Sequence, residues 1–113
     1  CVMASSTAAS VGIAYLLGGS DEQLGYAVRN MSGTVTGMIC DGGNQGCAMK
    51  GVVAVDAAYR SVDMAMNGVY IYDVHGINAD TPEETMRNMG LIASPGMIGT
   101  EKTMMDILNG KNK

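Results

Sequence analysis

Phenylalanine and tryptophan are absent from these 113 residues, which hold one histidine and two prolines. With aromatics at 4%, no run of interleaved aromatic and basic residues offers a platform on which nucleic-acid bases could stack. Positive charge is equally scarce. Seven Lys and Arg stand against eleven Asp and Glu, a net charge of −4 with no basic cluster, which argues against binding a phosphate backbone or an anionic membrane surface. No apolar run approaches the about 18 residues of a membrane-spanning helix. The cysteines number three, and an odd count does not suit a secreted disulfide framework. Cys1, Cys40 and Cys47 therefore read as reduced cytoplasmic thiols or as metal ligands.

What is present is a mostly apolar chain of one-domain size, 47% hydrophobic with 11 Met. That share of apolar residues is enough to fold rather than stay disordered. Flexible thioethers fill irregular gaps and suit packing around a cofactor or another chain, although a Met-rich core without functional meaning explains them equally well. The chain opens on Cys1 rather than Met, so it reads as processed or as part of something longer. A lipid-carrying first cysteine fits poorly, because a helical pattern starts at once where a polar tether is expected.

The patterning predicts a mainly helical bundle, all-α apart from one short extended segment near 69–74 (VYIYDV). A first helix is expected from Val2 to Leu17, stopped by Gly18–Gly19, with Ala4, Ala8 and Gly12 on one face where another backbone could approach. Ser20-Asp21-Glu22-Gln23 is a capping box that opens a second helix, with Leu24, Ala27, Val28 and Met31 as its buried stripe. Residues 32–46 read as mostly irregular, given Gly33 and Gly37 around Thr34, Val35 and Thr36 and the glycine-rich DGGNQG at 41–46. A long helix follows from about Gly46 to Asn67, with Ala48, Val52, Val55, Tyr59, Val62 and Met66 as its expected buried stripe. Thr81-Pro82-Glu83-Glu84 starts a helix ending near Gly90. Ser94-Pro95-Gly96 is a turn, and Thr100 caps a last helix carrying Met104, Ile107 and Leu108 to near Gly110. The Lys-Asn-Lys end reads as frayed.

Three places carry candidate chemistry. Cys40 and Cys47 flank a glycine-rich loop leading into a helix, where glycines let the chain wrap a compact ligand and the helix dipole stabilises a thiolate. Spacing alone leaves two readings open, metal ligands or small buried hydrophobes. Zinc suits the set less well than an iron–sulfur cluster, since a structural zinc site takes four ligands and His75 is a poor fourth. The stretch DGGNQGCAMK, ending on Lys50, matches neither the P-loop nor the dinucleotide fingerprint. His75 beside Gly76 reads as a loop residue, and Glu83 and Glu84 as acids complementing a helix start.

The segment NMSGTVTGMICDGGNQGCAMK at 30–50 resembles the N-M-x-G-x-x-T-G-M-I-C-D-G-x-x-x-G-C-A-x-K motif of the L-cysteine desulfidase family, relatives of the alpha chain of iron–sulfur L-serine dehydratases. CVMASSTAASVGIAYLLGGSDEQ at 1–23 resembles that family's cysteine-led helix, and TPEETMRNMGLIASPGM at 81–97 its final E-E-T-x-R-N-x-G segment. The likeness covers nearly the whole chain, which then corresponds to the C-terminal, cluster-binding part (1–113) of a longer catalytic domain. Ala4-Ser5-Ser6-Thr7 departs from the family's usual A-G-T-G, and DGGNQG lacks the lysine that often follows its D-G pair.

The resemblance implies a 4Fe–4S cluster held by Cys1, Cys40 and Cys47, with the fourth iron left open as a Lewis acid. It implies β-elimination on L-cysteine or L-serine to give pyruvate and ammonia, plus sulfide from cysteine. The catalytic base is expected upstream of Cys1, so this segment by itself is expected to be inactive. Ser5, Ser6 and Thr7 are candidates for contact with the small amino-acid substrate, and Asp41 and Lys50 for support of the cluster loop. Expected partners are the N-terminal part of the same protein and, through exposed Met- and Ala-rich faces, a second copy. The alternative is a non-catalytic helical module whose cysteines are ordinary buried residues.

Overall fold

Five helices and the turns between them make up residues 1–111, the part described by the computed structural model. They are α1 (Val2–Leu16), α2 (Asp21–Val35), α3 (Gln45–Met66), α4 (Pro82–Ala93) and α5 (Ile98–Lys111), and no strand occurs among the described residues. The all-α expectation holds. The last two residues of the Lys-Asn-Lys end lie outside the described residues.

Local chemistry sets most helix starts. The Ser20 hydroxyl accepts the Gln23 N–H at 3.2 Å while the Gln23 side chain accepts the Ser20 N–H at 2.9 Å, the reciprocal bonds of a capping box. Asn44 caps α3 by accepting the Gly46 N–H at 2.7 Å, and Thr81 caps α4 by accepting the Glu84 N–H at 3.2 Å, with Pro82 in the first position.

Several boundaries differ from the sequence reading. Helix α2 continues through Ser32, Gly33, Thr34 and Val35, part of the stretch expected to be irregular. Ser32 and Val35 are buried, and packing outweighs the modest propensity penalties of glycine and β-branched residues. The Thr34 hydroxyl donates back to the Asn30 carbonyl at 2.6 Å instead of breaking the helix. Helix α4 passes Gly90 and ends at Ala93. Helix α5 starts at Ile98, before Thr100, with the Met97 carbonyl accepting the Glu101 N–H at 3.0 Å.

Helices α1, α2 and α3 pack on one another, and α4 lies against α2. In the expected α2 stripe Ala27, Val28 and Met31 are buried and Leu24 is half-buried. Of the expected α3 stripe, Val62 is buried and Met66 half-buried, but Ala48, Val52, Val55 and Tyr59 are exposed. The buried face of α3 is Ala54, Ala58, Ser61, Val62 and Ala65, while Val52, Val55 and Tyr59 are each more than half exposed. Small side chains let three helices approach closely, so shape rather than hydrophobicity chose the inner face. Helix α1 likewise turns Ser6, Thr7, Ser10 and Ala14 inward and leaves Ala4, Ala8 and Gly12 exposed. No neighbouring side chain or backbone among the described residues comes within 4 Å of a Cβ placed on Gly12, so at that point the small-residue face expected to meet another backbone meets none of them.

The 69–74 segment is irregular rather than a strand. Buried Asn30 holds it: the Asn30 amide donates to the Ser61 and Val69 carbonyls, each at 3.2 Å, and accepts the Ile71 N–H at 2.9 Å. Tyr70 stacks on Tyr26 with ring centroids 3.8 Å apart. Helix α5 buries no residue. The radius of gyration of 15.4 Å exceeds the about 13 Å usual for a chain of this length, and the extents are 53 × 26 × 16 Å.

Candidate functional site

Three separate pieces of chain bring the cysteines around one place. Cys1 is the N-cap of α1, Cys40 lies in the connection after α2, and Cys47 sits in the first turn of α3. All three line a single small cavity of about 40 Å3, together with Met38, Ile39 and Lys50. The cysteines are free thiols, with Cys1 and Cys40 exposed and Cys47 half-buried. None is an ordinary buried hydrophobe, as the non-catalytic alternative required.

The loop between Cys40 and Cys47 explains the electrostatics. Gly42 and Gly43 both have positive φ, +112° and +64°, a conformation that side chains with a Cβ rarely adopt. The backbone N–H groups of these two glycines lie close enough to Cys40 to favour its ionised form. Those two donors, then the Cys47 thiol and the Lys50 ammonium, hold Cys40 below the ordinary thiol range. Lys50 pairs with Asp41 at 2.7 Å. This pairing lowers the Asp41 carboxyl and raises the Lys50 ammonium, chiefly through their shared hydrogen bond. The arrangement favours a thiolate at Cys40 and keeps a cation beside the thiols.

Among the described residues, no group of three or more His, Cys, Asp or Glu side chains is arranged to hold a metal ion.

The other sequence candidates fall elsewhere. Ser5 is exposed one turn after Cys1. Ser6 and Thr7 are buried, and their hydroxyls donate to the Val2 and Met3 carbonyls at 2.6 and 2.8 Å. Thr7 lines a different, larger cavity of about 680 Å3 between α1, α2 and α4. His75 lines a third cavity, against the C-terminal half of α2. Glu83 and Glu84 stand in the first turn of α4, as expected of a helix start. Met38 and Ile39 were not anticipated as lining; the available signal was an apolar pair immediately before a cysteine.

Comparison with known proteins bears on what this arrangement does. A family model described as the serine dehydratase alpha chain matches residues 1–106. A UPF0597 protein of Clostridium botulinum is 42% identical over 113 residues, covering 100% of this chain and 26% of the relative. One from Parabacteroides distasonis is 41% identical over 112 residues, covering 99% and 26%. One from Desulfotalea psychrophila is 36% identical over 113 residues, covering 100% and 26%. The chain thus spans about a quarter of the length of these curated relatives. No solved structure matches it. No helix among the described residues is long and apolar enough to cross a membrane.

Proposed function

The chain belongs to the serine dehydratase alpha chain family, and on that premise we propose that it is the cluster-bearing, C-terminal part of an iron–sulfur lyase acting on L-serine or L-cysteine. The observation that carries this reading is the meeting of Cys1, Cys40 and Cys47 at one cavity from three separate elements. The donor set fits a 4Fe–4S cluster in kind: three thiols, one already biased toward thiolate by two backbone N–H groups and a lysine. When bound, a cluster held by three thiolates supplies an iron with an open position, a Lewis acid for the departing hydroxyl or thiol group.

The chain's own residues then have distinct tasks. Cys1, Cys40 and Cys47 are the ligands. The nearby backbone of Gly42 and Gly43 lowers the proton affinity of the Cys40 sulfur. Lys50, held by Asp41, offsets the negative charge that three thiolates bring together. The exposed hydroxyl of Ser5 is the member of the Ser5–Thr7 trio free to meet a substrate, since Ser6 and Thr7 already donate to the helix backbone. The reaction breaks Cα–H and Cβ–O (or Cβ–S), and the resulting enamine goes to pyruvate and ammonia with water. No residue near the cysteines is placed as the base, which we assign to the part of the longer protein outside this segment.

That part also accounts for the apolar surface. Val52, Val55 and Tyr59 on α3, Leu16 at the end of α1 and Leu17 just beyond it, and Ile98 and Ile107 on α5 are all exposed. Contiguous apolar surface is a mark of an interface, and the remaining three-quarters of a family-length protein is the partner that fits it. A second copy of this segment would cover the same faces when the remainder is absent.

Anaerobic reconstitution with iron and sulfide, followed by iron and sulfide analysis and electronic absorption, tests the reading. We expect about four irons per chain, with a large loss of bound iron in Cys40→Ala and in Cys47→Ala. Unchanged iron content in both variants would sink the assignment.

A further inference from the structure

Helix α1 packs on α2 and α3, and α4 lies against α2. The first and fourth helices therefore flank α2, and between them lies the cavity of about 680 Å3. Its floor is Leu24, Gly25 and Val28 of α2. Gly25 is shallow by necessity, since a Cβ there would come within 3.2 Å of the Pro82 ring. The walls are apolar and low, with Ala4 and Ala8 on one side and Met86 and Gly90 on the other. Ala8 and Met86 are exposed, Met86 by 46%. No atom among the described residues comes within 4 Å of a Cβ placed on Gly90. From Met3 to Val11 the α1 wall runs about 12 Å, roughly two helical turns. Three helices set in this way leave the slot of a fourth, into which an amphipathic helix can lay its apolar face.

The two ends of the groove differ in charge. Helices α1 and α2 are joined by the short turn at 17–20, so Asp21 lies at the end away from Met3. Glu83 is at the same end as Asp21, because Pro82 beside it meets Gly25 one turn into α2. Neither carboxylate is paired with a cation among the described residues. At the opposite end Met3 lines both this groove and the cysteine cavity. An occupant of the groove is thus asked for a cation at one end and comes beside the three thiols at the other.

We propose that this groove seats one helix from the remaining part of the family-length protein, with its apolar face on Leu24, Val28 and Met86 and a Lys or Arg against Asp21 and Glu83. The length of chain outside this segment supplies the occupant, since the segment covers only 26% of a relative. Charge excludes the other ready occupant. A second copy carries the same net charge of −4 and brings like charge to the acidic end. The inference rests on the lyase reading for the identity of the longer protein, and it deepens that reading. The seated helix reaches Met3, beside the cysteine cavity, which is where the part assigned the base has to arrive.

The test uses the full-length protein. A benzophenone side chain is introduced in place of Ala8 or of Met86, and cross-links formed on illumination are mapped by mass spectrometry. Both positions are expected to capture one and the same peptide outside this segment, with apolar residues at helical spacing and a Lys or Arg at one end. Capture of a second copy, of residues within this segment, or of no peptide would overturn the proposal. In the Asp21→Asn/Glu83→Gln variant the amides of the captured peptide should exchange hydrogen at least about threefold faster, the loss of two partly exposed ion pairs. Unchanged exchange there would overturn the charge match that selects this occupant. Iron content after reconstitution is measured on the same protein. A bound cluster without the cross-link sinks the groove assignment alone, and the cross-link without a cluster sinks the lyase reading alone.

Discussion

The two faces of α3 differ in a way that runs against simple hydrophobic patterning. Its inner face is Ala54, Ala58, Ser61 and Ala65 with one valine, Val62, while its outer face shows Val52, Val53, Val55 and Tyr59 to solvent. The inner face is small because α1 and α2 both press on it. A three-helix contact this close has no room for larger side chains, and it buries Met31 and Val35 of α2 against Ala58. The outer face carries apolar side chains that are exposed among the described residues. The contrast teaches that the internal packing and an external interface were shaped separately, one by volume and the other by hydrophobicity.

Substitutions graded along that contrast can break it. The largest loss is expected for Asn30→Ala, which removes the buried amide joining Ser61 of the inner face to Val69 and Ile71. Leaving those backbone groups unpaired should cost about 2–3 kcal/mol, read by urea unfolding. Ala58→Leu overfills the inner face and should cost about 1–3 kcal/mol in the same measurement. A neutral result there would mean that the helices have room to separate. Asn44→Ala removes the cap at the start of α3 and should lower stability by about 1 kcal/mol. If Asn44 also orders the cysteine loop, the same variant will protect the amides of Gly42 and Gly43 less against hydrogen exchange. The smallest effect belongs to the outer face. Val55→Thr should change stability by less than about 0.5 kcal/mol, and a larger loss would show that the face is buried in solution, as in a self-associated species detectable by sedimentation.

The residues proposed as cluster ligands stand out in the sequence because their signals are local. A cysteine on each side of a glycine-rich loop before a helix says where Cys40 and Cys47 sit, and the motif around them matches a family specific enough to include Cys1. What spacing lacked was the cause of the lowered Cys40 proton affinity, the nearby backbone of Gly42 and Gly43 together with Cys47 and Lys50.

Helix existence was set by the chain itself, through the Ser20 capping box, the Thr81-Pro82 start and the glycines after α1. Those are interactions among residues a few positions apart, so their energies are present before the fold forms. The phase of α3, the extension of α2 through Val35 and the end of α4 were decided by tertiary structure. Each depends on how closely another helix approaches, and on side-chain volumes from distant parts of the chain. The meeting of Cys1 with Cys40 and Cys47 is of the same kind: the residue types are written in sequence, but only the packing of α1 on α3 brings the three thiols to one cavity.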